Sequence, residues 1–385
     1  MKIFHIADCY IDGWGYQENL LPQYQKRAGH DVVIVADNDH LKYLNNATLA
    51  QSILNRGKEY ENDGIKVYKI REYLTTSSTS LICRGLYKLL EKENPDMIFH
   101  HNLNTSTLPV AARYIRSHPR VKLYVDNHAD WINESKNKLW HKVFYETLIP
   151  WTVRRLSDSV NYYVGVSPLR CQYLNKVFHV PENKVKFLPI GCDTVGAEQV
   201  TESREELRKQ YQIKNDAFVV VSGGKLDRNK GTLALIEACE NLKAKMDNLH
   251  LALFGKIDEE IQRAAKDKEW ITTEGWCDRK KTLSLLKMSD VACWPWLHTT
   301  LIEDSVASCV PLVVKMSDNV SHFAKERAGV FLERGGLDEL IEALIEVKTN
   351  EDQYRQNVVK AREKYCYSTL VKCLDTETFY EWKYE

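Results

Sequence analysis

Two α/β domains, each a doubly wound parallel sheet covered by helices, are what this sequence predicts, and three observations predict them. Its 385 residues exceed one ordinary core and suit two domains of common size. Short β-branched runs alternate with helical patterns from the first residues onward. A polar stretch from about Thr194 to Glu205 breaks the alternation, which then restarts.

The first βαβ unit is Lys2–Ala7 as strand, Tyr16–Ala28 as helix stopped by Gly29, and Asp31–Ala36 as strand. Further strands are expected at Asp96–His100, Val121–Val125, Tyr162–Val166, with a helix after Pro168, and Lys184–Ile190. Beyond the break they are expected at Ala217–Ser222, Leu251–Phe254, Ile271–Thr273, Val291–Trp294 and Pro311–Val314. Strands spaced by helices imply parallel sheets covered on both faces. The domains read from this are 1–193 and 194–365, followed by an aromatic-rich segment, 366–385. Right-handed crossovers leave a crevice at the carboxyl ends of the strands, so ligands are expected in a central cleft where those ends of the two sheets face each other.

Hydrophobic residues make up 44% and charged residues 28%, the balance of a soluble globular enzyme and not of a disordered or membrane-spanning chain. Lysine and arginine, 53 together, equal aspartate and glutamate, 53 together, so the overall charge calls for no nucleic acid partner. Met1–Asp8 lacks the apolar core of a signal peptide and reads as a buried strand. The ten cysteines, Cys9, Cys83, Cys171, Cys192, Cys239, Cys277, Cys293, Cys309, Cys366 and Cys373, show no Cys-x-x-Cys spacing. A reducing, cytoplasmic compartment is expected. The adjacent His100 and His101 point to opposite faces of a strand, and no metal is expected there.

The strongest local signal is Ser222-Gly223-Gly224-Lys225-Leu226-Asp227-Arg228-Asn229-Lys230-Gly231, leaving a strand and entering a helix predicted over Thr232–Lys245. Glycines allow close backbone approach, and two lysines at a helix start offer positive potential to a diphosphate. The run resembles the Gly-Arg-Leu-x-x-x-Lys-Gly segment of the retaining glycosyltransferases of family 4, which have the GT-B fold. Lys225 stands at the arginine and Lys230 at the lysine; the resemblance implies that both grip the donor diphosphate. Lysine for arginine keeps the charge and gives up the bidentate fork.

A second segment, Cys293-Trp294-Pro295-Trp296-Leu297-His298-Thr299-Thr300-Leu301-Ile302-Glu303-Asp304 through Pro311, resembles the family's Glu-x7-Glu pair followed by Ala-x-Gly-x-Pro. Aligned on Pro311, Asp304 takes the second glutamate, whose implied role is to bind ribose hydroxyls, and Trp296 replaces the first, which touches the donor sugar. Thr300-Leu301-Ile302-Glu303 is also a capping box, the role preferred for Glu303. The free amides of Thr300 and Leu301 would meet the second phosphate, with the Thr299 hydroxyl, and His298 is a candidate sugar contact.

Looser matches extend the resemblance over nearly the whole chain. Leu188-Pro189-Ile190-Gly191-Cys192-Asp193 is similar to the segment that ends the first domain, and Ser167 to a serine after a strand. Gly255 and Gly275-Trp276 match loops around the base; Trp276 either meets the base or packs between the sheet and a helix over Arg279–Met288. Asp12-Gly13-Trp14-Gly15-Tyr16-Gln17-Glu18 is similar to the family's glycine-rich loop, so Gly13 and Gly15 are expected beside the donor phosphate. His128 is similar to a strand-end histidine lining the sugar pocket, and Asp130 is a candidate acceptor ligand or base. The C-terminal segment is expected to form a helix crossing back to the first domain. Asn137–Arg155 mixes aromatics with Lys138, Lys142, Arg154 and Arg155; a membrane-touching patch is one reading, and a helix packed on the sheet with a solvated basic face is preferred.

The resemblance implies transfer of a sugar from a nucleoside diphosphate, UDP or GDP, to a hydroxyl of a glycan or lipid-linked glycan, with retention and no obligatory metal or other cofactor. The protein would be cytoplasmic, with peripheral contact at the inner face of the membrane left open. Two alternatives stay open: a nucleotide-sugar 2-epimerase, and a degenerate, non-catalytic binding subunit, the latter suggested by Trp296.

Overall fold

The computed structural model describes residues 1–8, 10–37, 57–70, 72–75, 80–83, 85–132 and 137–383. Cys9 and the side chain of Cys83 lie outside the described residues; Cys171, Cys192, Cys239, Cys277, Cys293, Cys309 and Cys366 are free thiols. Two compact units make up the chain: Met1–Pro189 with Leu370–Glu385, and Ile190–Thr369.

In the first unit the strands are β1 (Lys2–Ala7), β2 (Asp31–Asp37), β3 (Glu59–Asn62), β4 (Ile65–Ile70), β5 (Glu72–Thr75), β6 (Ser80–Cys83), β7 (Met97–His100), β8 (Lys122–Asn127), β9 (Tyr162–Gly165) and β10 (Val185–Phe187). Eight form one sheet in the order β10-β9-β8-β7-β1-β2-β4-β3, while β5 and β6 pair separately. β1 is buried continuously from Ile3 to Ala7, because a sheet with both faces covered has no solvent side and needs no polar alternation. On one face Phe4, Ile6, Val33, Val35, Ile98 and Leu123 pack against helix residues Leu90, Leu108 and Tyr114.

The expectation of a wholly parallel sheet needs one correction, because the edge strand β3 runs antiparallel to β4. Asp63 and Gly64 join them, both at positive φ (51° and 73°), the geometry that a two-residue Asp-Gly hairpin turn requires. The closing segment packs with this unit: Tyr380 N–H donates to Phe187 O at 3.1 Å, and Glu377 accepts from the Tyr124 hydroxyl at 2.9 Å.

The second unit holds β11 (Phe218–Leu226), β12 (Leu249–Ile257), β13 (Ile271–Glu274), β14 (Val291–Trp294), β15 (Leu312–Lys315) and β16 (Gly329–Leu332), in the order β13-β12-β11-β14-β15-β16. All neighbours are parallel. This is the doubly wound order, with its reversal between β11 and β14. The polar stretch that breaks the sequence pattern folds as two short helices, Thr194–Glu198 capped by Asp193 and Arg204–Gln210 opened by a Ser203/Glu206 capping box.

The edge strand β16 is not among the expected strands, and two further elements differ from the sequence expectation in this unit. β11 continues through the glycines to Leu226, because β12 runs alongside it residue for residue as far as Ile257. A short 3-10 turn, Arg228–Lys230, then precedes the helix Thr232–Lys243. Gly223 is required here, since a β-carbon on it would lie 2.2 Å from the Phe254 ring. Among the described residues no helix is long and apolar enough to cross a membrane.

The helix Leu301–Ala307 ends in a Schellman motif: Val310 N–H donates to Ser305 O at 2.9 Å and Cys309 N–H to Val306 O at 3.0 Å. That motif puts its left-handed residue at Cys309 (φ 58°), the glycine position of Ala-x-Gly-x-Pro. A side chain in that conformation costs roughly 1 kcal/mol.

Candidate active site

In an open doubly wound sheet the loops at the order reversal diverge and leave a crevice outside the carboxyl ends. For the second unit these are the loops after β11 and β14. Gly224 sits at that point with φ 97°, and a β-carbon on it would lie 3.4 Å from Leu301 Cδ1 and 3.8 Å from Thr299 Oγ1. The Lys230 ammonium donates to His298 O at 2.9 Å. The fold therefore brings together Gly224, Lys230, His298, Thr299 and Leu301 from two segments far apart in sequence. Burial lowers the Lys230 pKa; Asp227 opposes this and Lys225 adds to it. Lys225, 67% exposed, lies 3.4 Å from Asp227 Oδ2, whose other oxygen accepts from Asn229 N–H at 2.9 Å. Thr300 is exposed at the helix start, and Leu301 N–H reaches Thr299 Oγ1 only at 3.5 Å.

The capping role expected for Glu303 is not what the structure shows. Thr300 makes no side-chain cap bond. Glu303 is 4% exposed, its Oε1 lies 3.4 Å from His298 Nε2, and its Oε2 has no hydrogen-bond partner among the described residues. The physical reason is that Thr300 already has helical backbone angles (φ −67°, ψ −9°), so its side chain is not presented to the third amide as an extended cap residue would be. Trp296 also has a defined seat. Its indole N–H donates to Gly335 O at 3.0 Å, and a β-carbon on Gly231 would lie 2.8 Å from its ring.

Asp304 is 7% exposed, and both its oxygens accept from Arg279, at 2.5 and 2.8 Å. Arg279 also donates to Asp193 Oδ2 at 2.9 Å, linking the helix Arg279–Lys287 to the start of the unit. Burial pushes the Asp304 carboxyl above its usual value, against the pull of Arg279. Burial also works against the charge on Arg279, yet Asp304 and Asp193 outweigh it and hold that pKa higher still. Arg279 went unnoticed in the sequence, where nothing distinguishes it from the neighbouring Lys280 and Lys281. Gly255 (φ 107°) borders a cavity of about 320 Å³ with Ile257, Gln262, Lys266 and Thr273. Trp276 is 80% exposed, which removes the reading that packing against the sheet explains it.

In the first unit the order reversal lies between β1 and β7. A cavity of about 210 Å³ opens at those strand ends, lined by Asp8, Asn102, Asn104, Asn127, His128 and Tyr145 among others. Behind it runs a buried polar chain. His5 Nε2 meets Gln25 Oε1 at 2.5 Å, His5 Nδ1 meets His101 Nε2 at 3.1 Å, and His101 Nδ1 meets Asp126 Oδ2 at 2.8 Å. The same Asp126 oxygen lies 3.4 Å from His128 Nε2, and Oδ1 accepts from Asn102 N–H at 2.8 Å. Burial alone would raise the Asp126 pKa, but His101 and His128 drive it far below the carboxylate range. Burial likewise opposes charge on His101, and Asp126 overcomes it to raise that pKa. Burial lowers His5 to about 3 and His100 to about 4.

Asp130, a candidate base, is 1% exposed, 3.3 Å from Arg170 Nε, and accepts from Ile132 N–H at 2.9 Å. Its carboxylate braces the loop instead of facing solvent. Gly13 (φ 77°) is exposed and Gly15 partly buried in the loop after β1. His100 and His101 engage different partners, Thr107 Oγ1 at 2.9 Å for the former. Among the described residues no group of three histidine, cysteine or acidic side chains is arranged to hold a metal ion.

Both halves match family models: residues 19–195 match Glycosyltransferase Family 4, and residues 203–365 match Glycosyl transferases group 1. The chain thus belongs to the family-4-type glycosyltransferases of the GT-B fold, as the motifs imply. No curated protein sequence matches it. Among solved structures it is similar to sucrose-phosphate synthase from Thermosynechococcus elongatus (TM-score 0.67, 13% identity, 98% of both chains). It is also similar to Anabaena HepE in complex with UDP and glucose (0.64, 15%, 98% of this chain and 99% of that one). A third is UDP-GlcNAc 2-epimerase from Neisseria meningitidis bound to UDP-GlcNAc (0.61, 12%, 98% and 99%).

Proposed function

We propose that this protein transfers a hexose or related sugar, with retention, from a UDP-sugar to a hydroxyl of a glycan or lipid-linked glycan. The observation that carries the reading is the meeting of Gly224 and Lys230 with His298, Thr299 and Leu301 at the β11/β14 reversal. Lysine ammonium groups and helix-start amides there suit a diphosphate leaving group. In this reading Lys230 exchanges its bond to His298 O for a phosphate oxygen, and the exposed Lys225 swings from Asp227 to the same group. Thr299 and the amides of Thr300 and Leu301 hold the second phosphate. Arg279 fixes the Asp304 carboxylate where ribose hydroxyls meet it, and Gly255 and Trp276 border the base.

In the first unit, the cavity that His128 lines takes the acceptor. The acceptor hydroxyl loses its proton to the departing diphosphate as the new glycosidic bond forms, so neither a protein base nor a metal is needed. Asp130 keeps a bracing role. Trp296 is seated against Gly231 and Gly335, and Glu303 acts on the sugar through His298.

The test is a panel of UDP-, GDP- and ADP-sugars incubated with the protein, with and without glycan acceptors, followed by mass spectrometry, with K225A and K230A as controls. Lysine-dependent release of UDP supports the reading. An epimerised sugar released without acceptor would replace it with the isomerase, which uses a similar fold, and nucleotide binding without turnover would make the protein a binding subunit.

A further inference from the structure

Between β8 and β9 three helical stretches follow one another: Lys138–Trp140, His141–Leu148 wound as a π-helix, and Ile149–Leu156. Their inner side belongs to the core through Phe144, Ile149, Val153 and Leu156. Their outer side exposes Leu139 (73%), Val143 (53%), Trp140 (48%), Trp151 (48%) and Leu148 (47%). Large apolar side chains gathered on one outer face mark an interaction surface. The segment packs on the core and exposes its basic residues, as expected, and its outer side adds large apolar groups to them.

The charges on that face indicate its partner. Lys138, Lys142, Arg154 and Arg155 are all exposed among the apolar groups, and the Arg155 guanidinium lies 5.4 Å from the centroid of the Trp151 ring. The one carboxylate of the stretch, Glu146, lies 3.2 Å from His141. Centres of protein–protein interfaces are depleted of lysine and of acidic residues and enriched in arginine, so Lys138 and Lys142 do not fit one. Indoles and leucines interleaved with long cationic side chains instead suit a bilayer interface, where rings settle among headgroups and ammonium and guanidinium groups reach anionic phosphates. We propose that this outer face docks on an anionic phospholipid surface. Tyr145 and Ile149 of the same stretch line the His128 cavity, so docking would hold that cavity at headgroup level, where a lipid-linked acceptor carries its hydroxyl. That last step rests on the transferase reading; the docking does not.

The test is co-sedimentation of the full chain with vesicles of phosphatidylcholine alone or mixed with phosphatidylglycerol, for the wild type, W140S/W151S and K142A/R154A. All four substituted residues are exposed, and because Trp140 also stacks on Phe144 at 4.9 Å between ring centroids, unfolding transitions are recorded alongside and should show each variant folded. The wild type is expected to bind the anionic vesicles only, and less as salt rises. K142A/R154A should bind about 25-fold more weakly, fivefold for each cation lost, and W140S/W151S about tenfold or more. No binding to anionic vesicles, equal binding by the variants, or self-association that W140S/W151S abolishes without vesicle binding would overturn the proposal. UDP affinity, measured in parallel, should be unchanged in both variants, so a failure of docking and a failure of the transferase reading are distinguishable.

Discussion

Replacing Asp126 with asparagine tests the buried chain behind the first unit's cavity. Asp126 is fully buried and takes His101 Nδ1 at 2.8 Å, Asn102 N–H at 2.8 Å and His128 Nε2 at 3.4 Å. Asparagine can still accept from Asn102, but its amide N–H₂ then faces the His101 ring. Removing one partner of a buried ion pair costs roughly 3–5 kcal/mol. The sign of the pH dependence follows from the two shifts. His101 is raised in the folded state, so its share is fully present below the ordinary value of 6.5 and is lost as pH rises through the folded pKa. Asp126 is lowered, so its share is present above the ordinary 3.8 and is lost as pH falls through the folded pKa. Both are present together between those ordinary values, which places the largest effect near pH 5 to 6. Urea unfolding of D126N and wild type at about pH 6 and again at about pH 9 is the assay, the comparison cancelling other titrations. A loss of roughly 3 kcal/mol or more at the lower pH that shrinks at the higher one is expected. A loss below about 1 kcal/mol, or the same loss at both, would refute the pairing.

Lys230→Ala should weaken UDP binding by roughly 10- to 100-fold, the worth of a charge-assisted hydrogen bond, whereas Lys245→Ala, beyond the end of the same helix, should change it less than about twofold; titration calorimetry reads both, and equal small effects would contradict the diphosphate role. Arg279→Met leaves Asp304 and Asp193 buried without their shared cation and should destabilise the protein by roughly 3–5 kcal/mol in urea unfolding, while unchanged stability would mean the bridge contributes nothing. Cys309→Gly relieves a left-handed side chain at the Schellman position and should stabilise by roughly 0.5 kcal/mol after the added flexibility of the unfolded chain is subtracted; a lower melting temperature would contradict that.

The alternation of strands and helices made most of both sheets legible, because parallel strands covered on both faces are near-continuous apolar runs such as Val219–Val221 and Ile3–Ala7, the latter interrupted by His5. Gly224, Lys225 and Lys230 stood out as well, since glycines and lysines at a strand end carry local conformational meaning. Less legible was anything fixed by contacts between distant segments. Arg279 finds Asp304 and Asp193, and Asp126 finds His101, only once the sheets are assembled. Glu303 shows the opposite failure: the Thr-x-x-Glu pattern fits a capping box locally, but the backbone already turns helical at Thr300 and the carboxylate meets His298. The hairpin at Asp63-Gly64 is readable from its turn residues alone. The exposure of Trp276, and of Trp140 and Trp151, could not be read from sequence, where a tryptophan is equally a core residue.

The central claim is that the glycine and lysine cluster at the β11/β14 reversal holds the diphosphate of a UDP-sugar. The most direct measurement is release of UDP from UDP-sugars by the wild type, K225A and K230A, followed by mass spectrometry. UDP released by the wild type, even by slow hydrolysis, and lost or strongly reduced in both lysine variants is the predicted result. Turnover that both variants retain at the wild-type rate, or a wild type that neither binds nor cleaves any UDP-sugar, would contradict it.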